Sequence, residues 1–211
     1  MTENRRTYHH GDLANALTVA ATQLAREGGP EAVVLREAAR KVGVSATAAY
    51  RHFAGHGDLV HAVKDQAGEA LAASMRAELA RTEPLPDAGD EALRQLRALG
   101  IGYLRFALAE PGLFRTAFCR ADSYAGHPEG AQDADMMASP AYQMLTATID
   151  ALVASGRMAA DRRPYAEVFA WSAVHGLAML LLDGPLSHLP EPDREPAIER
   201  ALDGVADGLT R

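Results

Sequence analysis

Between residues 45 and 52 the chain places Ser45, Ala46, Thr47, Tyr50, Arg51 and His52. These offer two small hydroxyls, a phenol, a guanidinium and an imidazole over about two helical turns. Phosphate oxygens accept from every one of those N–H and O–H donors, and a guanidinium can also grip the O6 and N7 of a guanine. The methyl groups of Ala46 and Thr47 can lie against the methyl of a thymine. Each residue also has a plainer reading. Ser45 can simply cap a helix, Tyr50 and His52 can prop up their own module, and Arg51 can be a solvated surface cation.

Such groups act together only if something holds them. Leu35, Ala38, Ala39 and Val42 form one face of a short helix, and Gly43-Val44-Ser45 reads as a tight turn. A second short helix then runs to Phe53, with Val44, Ala49 and Phe53 closing over the first. This is the pattern of a helix-turn-helix, whose second helix can enter a DNA major groove. Upstream, Leu13, Leu17, Ala20, Ala21 and Leu24 recur at helical spacing, with Asp12 placed to cap the start and Gly28-Gly29-Pro30 to stop the end. The result is a three-helix module over residues 1–57.

The charge agrees in direction. The net charge is −7, yet residues 1–66 carry eight Lys/Arg against seven Asp/Glu, so the acidic surplus falls on the remainder. Five of the eight histidines (His9, His10, His52, His56, His61) also lie in this first part. A slightly basic module on an acidic body fits nucleic-acid binding. Arg36, on the first motif helix, and His56, just past the second, join the DNA-binding candidates. Arg5 and Arg6 can be a minor-groove arm or a solubilising tail.

The remaining residues, 58–211, read as a helical body with no strand alternation, which makes the fold all-α. A long helix over 58–81 carries Leu59, Val63, Ala67, Leu71, Met75 and Leu79 on one face and connects module to body. A Pro/Gly/Asp linker follows at 83–90, then helices over 91–109, after Pro111-Gly112, and over 141–155, 164–182 and 194–209, with a polar loop at 122–140. The stretch FAWSAVHGLAMLLL is apolar nearly all round, so more than one of its faces must be covered. With the stripe Ile198, Leu202, Val205 and Leu209 it can form a four-helix interface between two subunits, or belong to the monomer's own core. Tyr103, Phe106, Phe114, Phe118, Met144, Trp171, His175 and Met179 can line a pocket for an apolar or aromatic small molecule; core packing explains them equally. His175, in so apolar a helix, needs a hydrogen-bond partner.

Other chemistries find little support. There is no G-x-S-x-G, phosphate loop or dinucleotide glycine fingerprint, so no enzyme is expected. His9-His10 are adjacent and His52/His56 straddle a helix end, so neither a metal site nor a cofactor is expected. The one cysteine, Cys119, allows no internal disulfide and suits packing in a reducing compartment. The opening MTENRRTYHHGDL lacks the apolar centre of a secretory signal, and the run 168–182 falls short of the ~20 residues of a membrane span. A cytoplasmic protein with no membrane contact is the expectation.

The N-terminal third resembles the DNA-binding domain of the TetR/AcrR family of bacterial regulators. The match runs through Leu13 to Gly28, Ala38-Ala39, Val42-Gly43-Val44-Ser45, Tyr50-x-His52-Phe53 and Asp58-Leu59. The opening YHHGDL and Trp171-x-x-x-His175-Gly176-Leu177 resemble a subgroup with a Trp-His-Gly C-terminal domain. The resemblance implies an N-terminal three-helix DNA domain and a C-terminal helical domain with a ligand pocket. It also implies a homodimer through the last two long helices, and a repressor that leaves its operator when a small molecule binds. The chain departs from many relatives at Val34, where a capping hydroxyl is common, at Ala48, where Thr is common, and at His56-Gly57, near a usual lysine. These changes bear on phosphate binding and on its pH dependence rather than on the fold. Two other functions stand beside the repressor: an architectural DNA binder without inducible release, and a small-molecule-binding or enzymatic helical protein whose module no longer binds DNA.

Overall fold

The computed structural model describes residues 10–119 and 136–211. Arg5, Arg6, Tyr8, His9 and most of the expected 122–140 loop lie outside the described residues. Among the described residues every regular element is helical. The principal helices, in order, are α1 (His10–Gly28), α2 (Leu35–Val42), α3 (Ala46–Ala49), α4 (His56–Leu79), α5 (Ala88–Ala109), α6 (Pro111–Phe118), α7 (Pro140–Ala154), α8 (Ala166–Leu182) and α9 (Glu191–Thr210). Short 3-10 turns occupy Pro30–Ala32 and Ala160–Arg162.

The chain forms two compact units, one of Met1–Ala67 with Gly112–Ala131 and the other of Gly68–Pro111 with Gln132–Arg211. In the first unit the expected apolar faces are the buried ones. Leu17, Ala21 and Leu24 of α1 pack with Leu35, Ala38 and Ala39 of α2, and Ala49 and Phe53 close the set. Leu59 and Val63, on the first turns of α4, are fully buried. Gly43 ends α2 in the left-handed region (φ 81°), where glycine lacks the Cβ clash of other residues. The amides of Gly43 and Val44 both bond the Ala39 carbonyl, at 2.9 and 3.0 Å, and so set the sharp turn of the motif.

The second motif helix is shorter than the expected run to Phe53. After Ala49 the amides of Arg51 and His52 bond three residues back, to Ala48 and Ala49, tightening the chain into turns. The Asp58 carboxylate then accepts the Ala54 amide at 2.8 Å and starts the next helix at His56, two residues ahead of the expected position. Asp12 sits within the first turn of α1 instead of ahead of it. The expected linker is partly helical too, because Asp87 caps α5 by accepting the amides of Gly89 and Asp90 at 3.0 and 2.9 Å.

Helix α6 belongs to the first unit although it follows α5 in the chain. Leu113 and Phe114 are fully buried. A side chain on Gly112 would put its Cβ against the Ala25 carbonyl oxygen and 2.6 Å from that of Arg26, so only glycine permits this approach to the end of α1. At the other end Lys64 donates to the Cys119 carbonyl at 2.9 Å, a cation placed on a helix C-terminus.

The second unit is a layered set of α5, α7, α8 and α9. Ala92 and Leu96, Ile149 and Leu152, Ala166 and Ala170, and Val205 and Leu209 meet in one core with Met158. Where α4 joins α5, Arg94 holds the connection by bonding both carboxylate oxygens of Glu91, the Thr82 hydroxyl and the Leu79 carbonyl.

Candidate functional site

Ser45 begins α3, and its Oγ accepts the Ala48 amide at 3.2 Å, which satisfies one of the unpaired N–H groups at the helix start. The capping reading of Ser45 is therefore the arrangement present. With Ala49 and Phe53 turned into the core, Thr47, Tyr50 and Arg51 lie at i, i+3 and i+4 on the opposite side, and all three are exposed. Ala46, Ala48 and His52 are half-buried at the edges of that face, and His56 is half-buried at the start of α4.

Arg36 stands exposed on the first turn of α2. That helix has Val34 at its N-cap with no side-chain bond to the amides, so those N–H groups lack the usual hydroxyl partner. Nearby cations differ in how far they are committed. Arg40 is held by Glu37 and Lys41 by Glu27, the latter at 3.3 Å, while Arg36 and Arg51 have no carboxylate partner among the described residues. A guanidinium without such a partner keeps its donors for phosphate or a base.

Of the eight pocket candidates, the structure joins three by hydrogen bonds. Trp171 Nε1 donates to the Tyr103 hydroxyl at 3.2 Å, and that hydroxyl lies 2.8 Å from His175 Nδ1. Burial pushes the Tyr103 phenol well above its ordinary range, with the Trp171 bond pulling more weakly the other way. Burial also lowers His175, which favours the neutral ring. The phenol thus stays protonated beside a neutral imidazole. The partner that His175 requires is internal.

The other five fall in both units. Phe106 is buried on α5 and Met144 is half-buried on α7, while Met179 is 38% exposed. Phe114 and Phe118, with ring centroids 5.0 Å apart, belong to the first unit with the helix-turn-helix.

One face of α8 is exposed and apolar: Val168, Phe169, Met179 and Leu180. Phe169 lies across Gly208 of α9, its ring 2.6 Å from where a Cβ there would sit. Ahead of α8, Tyr165 is 82% exposed and adopts φ 62°, the left-handed region that a tyrosine rarely enters. Sequence reasoning missed Tyr165, because no local pattern encodes a positive φ at a non-glycine residue. Among the described residues no helix is long and apolar enough to cross a membrane.

The pattern of tetR-family bacterial regulatory proteins matches residues 17–63, and that of tetracyclin repressor-like C-terminal domains matches residues 96–205. Similar solved structures span nearly the whole chain. A protein of unknown function from Rhodococcus sp. RHA1 has a TM-score of 0.75 at 24% identity, covering 98% of this chain and 100% of its own. A TetR transcriptional regulator from Streptomyces coelicolor has a TM-score of 0.51 at 28% identity, covering 93% and 98%. The TetR family regulator PfmR from Thermus thermophilus has a TM-score of 0.61 at 18% identity, covering 92% and 96%. No curated protein sequence matches the chain. With more than half its length matched by the C-terminal pattern and its helix-turn-helix by the N-terminal one, the chain belongs to the TetR family of bacterial regulatory proteins.

Proposed function

We propose that this regulator is a ligand-responsive repressor that binds a palindromic operator as a homodimer and leaves it when a small molecule binds. It acts in the cytoplasm and turns over no substrate. The observation that carries the reading is the exposed Thr47–Tyr50–Arg51 face, held in place by the buried Ala49 and Phe53. Arg51 reads a guanine or clamps phosphate. Tyr50, His52, His56 and Arg36 contact the backbone, and Ser45 places the helix that carries Ala46 and Thr47. The DNA-binding domain is residues 1–57, with 58–211 carrying ligand and dimer functions and the 58–81 helix passing the signal between them.

A second copy docks on the last two long helices through the exposed apolar face of α8, while the Ile198, Leu202, Val205 and Leu209 stripe of α9 is buried in this chain's own core. Such a dimer places two motif helices roughly 34–36 Å apart. The effector is an apolar or aromatic molecule received near Tyr103, Trp171 and His175. Release follows if the effector prefers a body conformation that changes the half-site separation.

A gel-shift on the DNA upstream of the protein's own gene tests the reading. Purified dimer should retard it at low salt and lose affinity steeply as salt rises. Folded dimer that retards no DNA overturns the proposal. The scarcity of hydrogen-bonding side chains on α3 gives the architectural binder its one support. Selection from random duplexes separates the two, since a symmetric consensus favours the repressor and its absence favours the architectural protein.

A further inference from the structure

The residues that begin the second motif helix differ sharply in what they can offer a base pair. Ser45 has its oxygen engaged by the Ala48 amide. Ala46 and Ala48 end in methyl groups at the edges of the outward face, and Thr47, at its centre, presents one methyl and one hydroxyl. None of these four side chains can make the paired hydrogen bonds by which Asn or Gln selects adenine and Arg selects guanine. A methyl-covered helix end discriminates among major-groove edges chiefly through the one apolar group that groove displays, the 5-methyl of thymine.

We infer that Thr47, flanked by Ala46 and Ala48, reads thymine by its methyl, and that each operator half-site carries a thymine facing this turn. The inference rests on the DNA-binding reading above and deepens it. Arg51, one turn further on, is left to supply the charged contact.

The test uses the full-length protein and a fluorescein-labelled duplex selected by it from random sequence. Each thymine is replaced in turn, symmetrically in both half-sites, by deoxyuridine, which lacks only the methyl. One symmetric position should weaken binding roughly fourfold per methyl, about fifteenfold for the pair. Thr47→Val keeps the methyl at that place and, if the methyl alone reads the base, should bind within about twofold of the unaltered protein. Thr47→Ser keeps the hydroxyl, loses the methyl, and should erase the difference between thymine and uracil. Uracil tolerated at every position overturns the inference, as does Thr47→Val weak and Thr47→Ser intact, which would mean hydroxyl readout. A protein that selects no duplex at low salt overturns the DNA-binding reading itself, a result distinct from the other two.

Discussion

The first unit carries its candidate chemistry on the outside, and the second carries it within. Thr47 projects from a helix only four residues long and Tyr50 and Arg51 from the turn that follows it, with the inner side closed by Ala49 and Phe53. Tyr103, Trp171 and His175 meet across some seventy residues of sequence, and their polar atoms are bonded to one another. An outward group can be exchanged with little disturbance to the fold. An inward group is core and candidate site at once, so any substitution there reads on stability first.

The largest test of this contrast concerns packing in the first unit. Gly112→Ala should destabilise the protein by about 3 kcal/mol in urea unfolding, because backbone carbonyls of α1 occupy the space of the new Cβ. A wild-type midpoint would mean that α6 is loosely attached and that the first unit is little more than its three motif helices. Tyr103→Phe removes the shared hydroxyl and with it the bonds to Trp171 Nε1 and His175 Nδ1, and should lower stability by about 2 kcal/mol. Its DNA affinity without effector should stay unchanged.

Arg51→Ala should show the mirror image, with operator affinity down about tenfold and unfolding unaltered. If both variants lose stability and binding alike, the distinction between outward and inward chemistry fails. Tyr165→Gly sharpens it further. Glycine relieves the positive φ, so the monomer should gain a few tenths to about 1 kcal/mol, while loss of the exposed ring should raise the dimer dissociation constant in analytical ultracentrifugation.

The smallest effect is proton-linked. Hydrogen bonds from Arg94 and from the Leu85 amide hold Glu91 down to about 2, below its ordinary 4.5. A folded value below the unfolded one gives stability that is complete above pH 4.5 and is lost as the pH falls towards 2. The stability gap between wild type and Glu91→Gln should therefore narrow across that window. A constant gap would show that the Arg94 tie contributes no charge-dependent stability.

The helix-turn-helix was legible because its signals are local. Gly43 marks a left-handed turn, Ser45 a cap, and the apolar residues around them a face that only two crossed helices can bury. The all-α body was legible from periodicity, though its ends were not, since side chains such as Asp87 capping α5 and Asp58 bonding back to the Ala54 amide from the first turn of α4 decided where helices began. The candidate site divided along the same line. The bond between Tyr103 and His175 depends on how α5 meets α8, which no local pattern encodes, and neither does the placement of Phe114 and Phe118 with the first unit.

Helix α6 also bears on how such regulators can be recombined. Its fully buried Leu113 and Phe114 belong to the first unit, and Lys64 of α4 bonds the Cys119 carbonyl just past its end. A chimera that grafts only the leading segment onto a relative's sensor would leave a hole where two large side chains belong. An exchange of the helix-turn-helix between paralogues must carry this eight-residue helix along with the head.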